Sequence, residues 1–146
     1  MTHLTQKDNC LAETQRTQRK TMVENEITKI LVDIFINVHK QLGPGLLESV
    51  YEEAICYELV KRGLKFKRQH GIAVMYDNVK MDLGFRADIL IEEKVIVEIK
   101  SIEALAPVHH KQLLTYIKLT NIKVGLLVNF NVNLVKDGIV RIVNNL

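Results

Sequence analysis

The sequence contains no tryptophan, only two prolines and two cysteines, and an aromatic fraction of 5%. With so few rings, a platform on which successive nucleic-acid bases stack is poorly supplied. Cys10 and Cys56 lie far apart, in a polar segment and in a predicted helix, and two isolated thiols form neither a disulfide framework nor a zinc site. Cysteine usage therefore favours a reducing, cytoplasmic location.

Long hydrophobic runs are also missing. Runs such as residues 124–128 are far shorter than the roughly 20 apolar residues that span a bilayer, so no membrane association is expected. No apolar segment follows the first basic residues, as it would in a secretory signal. The net charge of +3 is mild and permits contact with a polyanion without arguing for it. With 47% hydrophobic and 25% charged residues, the composition is that of a globular protein.

The chain is predicted to comprise a flexible polar leader over residues 1–22 and a single domain over residues 23–146. Apolar residues recur at helical spacing from Glu24 until a Gly-Pro-Gly turn at residues 43–45, and a second helix is predicted from about Leu46. Further elements follow the second helix: strands near 64–68, 72–76, 84–92 and 94–101, a helix over about 107–119, and strands over 123–130 and 138–143. This order predicts an α/β fold with a mixed sheet.

Two consecutive predicted strands bring acidic side chains together. If their turn is centred on Glu93, Asp88 faces Glu98 and Arg86 faces Lys100, all on one side of the sheet. Two carboxylates about 4 Å apart repel by about 4 kcal/mol at an effective dielectric near 20. Either a divalent cation offsets this repulsion, or the four charges form an ion-pair network that only braces the sheet.

The second helix is expected to aim a third acid at the same place. On a helical wheel Glu48 lies at the edge of the apolar stripe, whereas Glu52 and Glu53 are expected to be solvated. Tyr51 is interpreted as a core residue whose hydroxyl finds a polar partner. The predicted centre of the stripe consists of Leu47, Val50, Tyr51 and Ala54.

The segment Gly45-Leu46-Leu47-Glu48-Ser49-Val50-Tyr51 resembles the G-x-x-E-x-x-Y signature of a small bacterial family named after it, the GxxExxY proteins. That family in turn resembles the PD-(D/E)XK nuclease superfamily, which implies a restriction-endonuclease-like αβββαβ core with a mixed central sheet flanked by helices. The resemblance covers roughly residues 24–146. Its further matching segments are Arg86-Ala87-Asp88, Val97-Glu98-Ile99-Lys100 and Gln112-Leu113-Leu114-Thr115-Tyr116.

The resemblance implies a catalytic set made of Glu48, Asp88, Glu98 and Lys100. Mg²⁺ or Mn²⁺ would be held by the three acids and by the Ile99 carbonyl, since these hard cations prefer oxygen ligands. Lys100 would orient or help deprotonate the attacking water, or counter charge on the phosphate. All of these roles come from the family pattern.

Other residues are given auxiliary roles. Ala87 replaces the proline that usually precedes the strand acid in the superfamily, which is a chemically minor departure. His109 and His110, near the start of the third helix, are interpreted as surface residues. Arg86 is expected either to contact a phosphate or to pair with an acid. The auxiliary set is Gln112, Tyr116 and Arg86.

The resemblance implies a metal-dependent phosphodiesterase acting on nucleic acid, with DNA favoured over RNA. A nuclease-fold module that binds nucleic acid or a protein without cleavage is the alternative. The small size leaves assembly as a homodimer or with a partner protein open. Metal-dependent cleavage, or its absence, separates the enzyme from the binding module.

Overall fold

The computed structural model describes residues 21–146, apart from the side chains of residues 82 and 83. The predicted leader over residues 1–22 lies almost wholly outside the described residues. The elements follow in the order α1 (Glu24–Leu42), α2 (Glu48–Lys61), β1 (Phe66–Tyr76), β2 (Val79–Ile91), β3 (Val95–Lys100), α3 (Pro107–Thr120), β4 (Val124–Asn129), a 3₁₀ turn (Val135–Gly138) and β5 (Ile139–Val143).

The strands form a five-stranded sheet in the order β1-β2-β3-β4-β5. Neighbouring strands are antiparallel except for β3 and β4, which are parallel and are connected through α3. Helices α1 and α2 pack on one face of the sheet, and α3 packs on the other. The predicted α/β class, with a mixed sheet between helices, is confirmed.

The two parallel strands form the centre of the core. All six residues of β4 are buried, and so is every residue of β3 except Lys100. A strand covered on both faces is expected to be mostly apolar, and the exceptions here are Glu98 and Lys100 on β3 and Asn129 on β4. Across the part of the chain that the structure covers, the helices are too short or too polar to traverse a bilayer.

The stripe that α2 buries differs from the predicted one. Leu47 is 76% exposed and Val50 is 41% exposed, although both were placed at the centre of the predicted stripe. Helix α2 carries apolar side chains on two sides, and the centre of the predicted stripe fell between these two sides. The side that packs on the sheet also includes acidic residues held by polar partners. The buried residues are Tyr51, Glu52, Ile55, Cys56, Glu58 and Leu59.

The alternation of side chains between the two faces of the sheet is interrupted near the middle of the β1–β2 hairpin. Ala87 and Leu90 pack in the same cluster beneath α3, although they have opposite parity along β2. Across from this point, between the Arg68–Ile89 and His70–Ala87 pairs, Gln69 has a φ of +48°. A left-handed residue interrupts the alternation of side chains along a strand.

The predicted pairing of Arg86 with Lys100 is wrong. The pairing of β2 with β3 ends at Ile89 and Val97, and Arg86 pairs with Gly71 on β1 instead. Beyond Ile89 and Val97, hydrogen bonds to the side chains of Asp88 and Glu98 take the place of the backbone ladder. Strict alternation along β2 would have required the ladder to continue.

Candidate active site

The turn between β2 and β3 sets the position of two acids. It spans residues 92–94, and Glu92 and Glu93 both have left-handed backbone angles. This odd-length turn pairs Ile91 with Val95 and Ile89 with Val97, the register expected from a turn centred on Glu93. Asp88 and Glu98 are therefore the next two residues, at the point where the strands part.

Asp88 and Glu98 are joined by crossed hydrogen bonds. The backbone N–H of Asp88 donates to Glu98 Oε1 at 3.2 Å, and the backbone N–H of Ile99 donates to Asp88 Oδ2 at 2.8 Å. Each carboxylate thus binds the backbone of the opposite strand. These side-chain contacts stand where ladder hydrogen bonds would otherwise be and hold both carboxylates at the opening of the sheet.

Burial and mutual repulsion dominate the electrostatics of this pair. Burial, followed by the charge of Asp88, raises the pKa of Glu98 to about 8, while nearby Lys100 acts in the opposite direction. Burial also raises the pKa of Asp88; the Ile99 amide lowers it, and the charges of Glu52 and Glu48 raise it further. Without a cation, Glu98 therefore keeps a proton at neutral pH.

Glu48 lies at the exposed rim of this acidic site, where its charge raises the pKa of Asp88. It is the first residue of α2, and its Oε1 accepts a hydrogen bond from the Ser101 amide at 3.2 Å. The Ser101 hydroxyl donates to the Leu46 carbonyl at 2.6 Å, which ties the residue after Lys100 to the start of the helix. Glu48 is exposed and directed to the end of β3.

Tyr51 fixes the start of α2. Its hydroxyl donates to the Gly43 carbonyl at 2.6 Å and accepts from the Leu46 amide at 3.1 Å. Its ring stacks on Phe130, with centroids 4.3 Å apart and planes within 8°. The expectation of a core tyrosine with a polar partner is confirmed. The tyrosine of the G-x-x-E-x-x-Y segment thus closes the turn from which Glu48 starts.

Glu52 belongs to the surroundings of the site, and the expectation that it is solvated is wrong. It is 7% exposed, and its Oε2 lies 2.7 Å from Arg68 Nη2. Gln69 Nε2 donates to Glu52 Oε1 at 2.6 Å and to Asp88 Oδ1 at 3.4 Å, so it bridges the two acids. The signal in the sequence is that Glu52 follows Glu48 by one helical turn. Glu53 is exposed as expected, and it also contacts Arg68.

Helix α3 covers the acids from the other face. Gln112 Nε2 donates to the Tyr116 hydroxyl at 2.7 Å. Tyr116 is buried, and burial raises its pKa, as do the charges of Glu98 and Asp88. Its ring centroid lies 5.3 Å from that of Phe85 on β2. The predicted pair on α3 therefore lies beside the predicted acids.

The histidines at the start of α3 hold the helix terminus. His109 Nδ1 accepts from the Ala106 amide at 2.8 Å, and His110 Nδ1 lies 3.2 Å from the Ala106 carbonyl oxygen. Both are half-buried rather than fully on the surface. Their contacts give them a structural role.

Asn129 holds the chain beyond Lys100 and was missed from the sequence. Its Oδ1 accepts from the amides of Ile102 and Asn131 at 3.1 and 3.2 Å, and its Nδ2 donates to the Ile102 carbonyl at 3.0 Å. It is buried at the end of β4, paired with Lys100. The only sequence signal for Asn129 was its position as a polar residue at the end of an apolar run.

Arg86 lies on β2 close to Asp88 in the chain, but within residues 21–146 it forms no ion pair with an acid of the site. It is exposed and lines a pocket of about 200 Å³ on the β1–β2 hairpin together with Lys80. Of the two expectations for Arg86, pairing with an acid is therefore not seen.

The donor set suits a hard divalent cation, because Asp88 and Glu98 present carboxylate oxygens side by side. In the described part of the chain, no group of three or more His, Cys, Asp or Glu side chains is close enough to hold an ion. Two of the acids, Asp88 and Glu98, lie directly together. Glu48 accepts a hydrogen bond from the Ser101 amide at the rim of the site. The residues fit an ion held on two carboxylates with Glu48 nearby.

A sequence profile of the PD-(D/E)XK nuclease superfamily matches residues 25–142, from the first turn of α1 into β5. No curated protein and no solved structure matches the chain. The match covers most of the chain, and the chain therefore belongs to the PD-(D/E)XK nuclease superfamily. Nucleases of this superfamily generally use divalent metal ions.

Proposed function

We propose that the chain is a metal-dependent nuclease of the GxxExxY branch of this superfamily, acting in the cytoplasm on phosphodiester bonds of DNA, with RNA less favoured. The observation that carries the proposal is the pair of crossed hydrogen bonds that holds Asp88 and Glu98 together where the sheet opens. When both of its members are ionised, such a buried acidic pair is costly unless a cation neutralises it. Superfamily membership supplies the chemical context.

In this proposal Asp88, Glu98, Glu48 and the Ile99 carbonyl hold Mg²⁺ or Mn²⁺. The ion, when bound, would lower the pKa of a water and neutralise charge on the phosphate. Asp88 is fixed for this role by the Ile99 amide, and Glu98 by the Asp88 amide. Glu48 approaches from the rim, where its helix is anchored by the preceding turn.

Lys100 is the proposed cationic group of the reaction. It follows Glu98 by two residues, and its backbone carbonyl accepts from the Phe130 amide at 2.9 Å, so the strand beneath it is fixed. Its ammonium would orient the attacking water and counter the charge that develops on the phosphate. Gln112 and Tyr116, hydrogen bonded to each other, support the acids from α3.

The proposal predicts cleavage of single- or double-stranded nucleic acid with Mg²⁺ or Mn²⁺ and none with EDTA. Asp88→Ala and Lys100→Ala should each lower the rate about 100-fold or more, because each removes charge from the reacting centre. Labelled DNA and RNA strands resolved on gels measure this. Lys123→Ala, at the opposite end of β4, is the control and should cut like the wild type.

A binding module without cleavage is the second candidate. It is favoured by the finding that the described acids do not assemble into a group of three. It predicts salt-dependent binding of nucleic acid, without products under either metal. Absence of products across all substrates, with binding intact, would select this candidate over the nuclease.

A further inference from the structure

The pocket on the β1–β2 hairpin has the chemistry of a phosphate site. Lys80 and Arg86 both line it and both are exposed. Gly71 and Gly84 form part of its wall, so backbone groups there are not covered by side chains. Arginine and lysine are the usual partners of phosphate oxygens. At about 200 Å³, the pocket has room for one such group.

An irregularity of the hairpin creates this pocket. The pairing of β1 with β2 shifts register between Ile72 and Val74. Opposite this shift, a Cβ on Gly84 would lie 1.7 Å from the Ile72 carbonyl oxygen, so the two backbones approach more closely than any side chain allows. Bulges of this kind re-aim side chains and are frequent beside active sites.

Phe85 connects the pocket with the acids. It lines the pocket, it is 45% exposed, and one side of its ring meets Tyr116. Tyr116 in turn lies within the electrostatic influence of Glu98 and Asp88. Phe85 thus both lines the cationic pocket and contacts the tyrosine that lies beside the acidic pair. A nucleic-acid base stacks favourably on such a ring.

We propose that Phe85, Arg86 and Lys80 form a subsite for the nucleotide next to the scissile bond. Arg86 and Lys80 hold its phosphate, and Phe85 stacks its base. Arg86 precedes Asp88 by two residues, about 6.6 Å along an extended strand, a separation that neighbouring phosphates of one strand can match. The inference deepens the proposed function and rests on it for the place of the scissile phosphate.

The subsite defines the class of substrate. A base inside a duplex is stacked between its neighbours and cannot lie on a protein ring. A base on Phe85 is therefore unpaired, in a single strand, a loop or a flipped position. The low aromatic content disfavours a serial stacking platform, whereas one ring near the acids is enough to select one unpaired nucleotide.

Binding measured without divalent metal tests the subsite separately from cleavage. Fluorescence anisotropy compares a short labelled single strand with a duplex of the same sequence. Phe85→Leu, which keeps an apolar side chain, should weaken single-strand binding about tenfold and leave duplex binding unchanged. Its control is Tyr57→Leu, at an exposed tyrosine on α2.

Arg86→Gln tests the phosphate contact. It should weaken single-strand binding and lower the slope of log affinity against log salt by about 0.7, the value for one lost phosphate contact. Lys123→Gln removes an exposed charge elsewhere and should leave the slope unchanged. Because Arg86 is exposed, this variant is informative even where Phe85→Leu disturbs the packing on Tyr116.

The outcomes separate the two proposals. Wild-type affinity for the single strand in Phe85→Leu, an unchanged salt slope in Arg86→Gln, or no strand binding by the wild type would each overturn the subsite. Weaker single-strand binding in both variants, with duplex binding unchanged in Phe85→Leu, supports it, even if the protein cuts nothing and the nuclease proposal falls. If the protein cleaves with metal but both variants bind like the wild type, the subsite is overturned and the nuclease proposal stands.

Discussion

The Glu98 carboxyl combines two properties that oppose each other in the absence of a cation. It is only 6% exposed, and it lies against the backbone of Asp88. Burial therefore favours its protonated form, whereas its place beside a second acid suits a divalent ion. The same location that makes the free carboxylate costly makes its interaction with a cation strong.

The raised pKa of Glu98 predicts an unusual pH dependence for the metal-free protein. The pKa rises from its ordinary 4.5 to about 8 on folding. Between these values the folded state keeps a proton that the unfolded state has lost, so the free energy of unfolding decreases as the pH rises through this window. Glu98→Gln should flatten the decrease, as measured by urea unfolding in EDTA at about pH 6 and about pH 9.

The matched control for this experiment is Glu103→Gln, because Glu103 is an exposed acid in the loop after β3. It should keep the wild-type pH profile. Equal profiles for the wild type and Glu98→Gln would mean that Glu98 does not govern the dependence.

At the scale of residues, the sequence predicted the facing acids but not the groups around them. Asp88 and Glu98 could be placed because a three-residue turn fixes the register of a hairpin. Glu52 and Asn129 could not be placed, since each binds groups distant in the chain whose position only the fold determines. The role of Gln69 could not be predicted, because nothing in a sequence distinguishes a glutamine with left-handed backbone angles from any other glutamine in a strand.

Among the elements, the start of α2 depends on one hydroxyl. Tyr51→Phe should lower the free energy of unfolding by about 1–2 kcal/mol, because two backbone groups of the turn lose their partner. The proposed activity should fall as well, since the turn positions Glu48. Urea unfolding and cleavage rates measure the two effects.

Tyr57→Phe is the matched control, since Tyr57 lies on the same helix and is 68% exposed. It removes the same atom without touching the turn and should change neither stability nor activity. Equal behaviour of the two variants would show that the Tyr51 hydroxyl does not hold the helix start.

The helices and the last three strands followed from patterns, whereas the two strands predicted near 64–68 and 72–76 are one strand, β1, and β2 begins at Val79 rather than at residue 84. The predicted helix ends near residues 42 and 119 lie within a residue of the observed ones, because glycine, proline and polar residues mark them. The buried face of α2 was wrong because apolar side chains occur on two sides of that helix. Side-chain alternation along β2 failed at Asp88, where carboxylates replace the ladder.

For the molecule as a whole, the acids lie at an opening between β2 and β3 while β3 stays paired with β4 up to Lys100. One side of the site is thus built on the best-buried part of the sheet. Binding of a ligand there should therefore raise the free energy of cooperative unfolding of the whole domain.

A thermal melt with and without Mg²⁺ or Mn²⁺ tests this coupling. A bound ion adds about 2.7 kcal/mol at a hundredfold excess over its dissociation constant, which corresponds to a rise of several degrees in Tm. Asp88→Asn should remove most of the rise. Equal melts for the wild type with EDTA and with either metal would support a purely structural charge cluster.

The fold class was predictable because the order of helical and alternating patterns leaves few α/β arrangements. The matched family agrees with this class over residues 25–142. The division at residue 22 stays a prediction. The sequence could not give the opening of the sheet, since it arises from a competition between ladder hydrogen bonds and two buried carboxylates.

The Ile99 amide donates to a carboxylate rather than to a strand carbonyl. A carbonyl acceptor keeps the same charge under all conditions, whereas this one changes when a proton or an ion arrives. In a ¹⁵N-labelled sample, the nitrogen and proton chemical shifts of the Ile99 amide should therefore report protonation of Asp88 or binding of an ion to it. The Ile99 amide of β3 thus serves as a built-in spectroscopic probe of the acidic site.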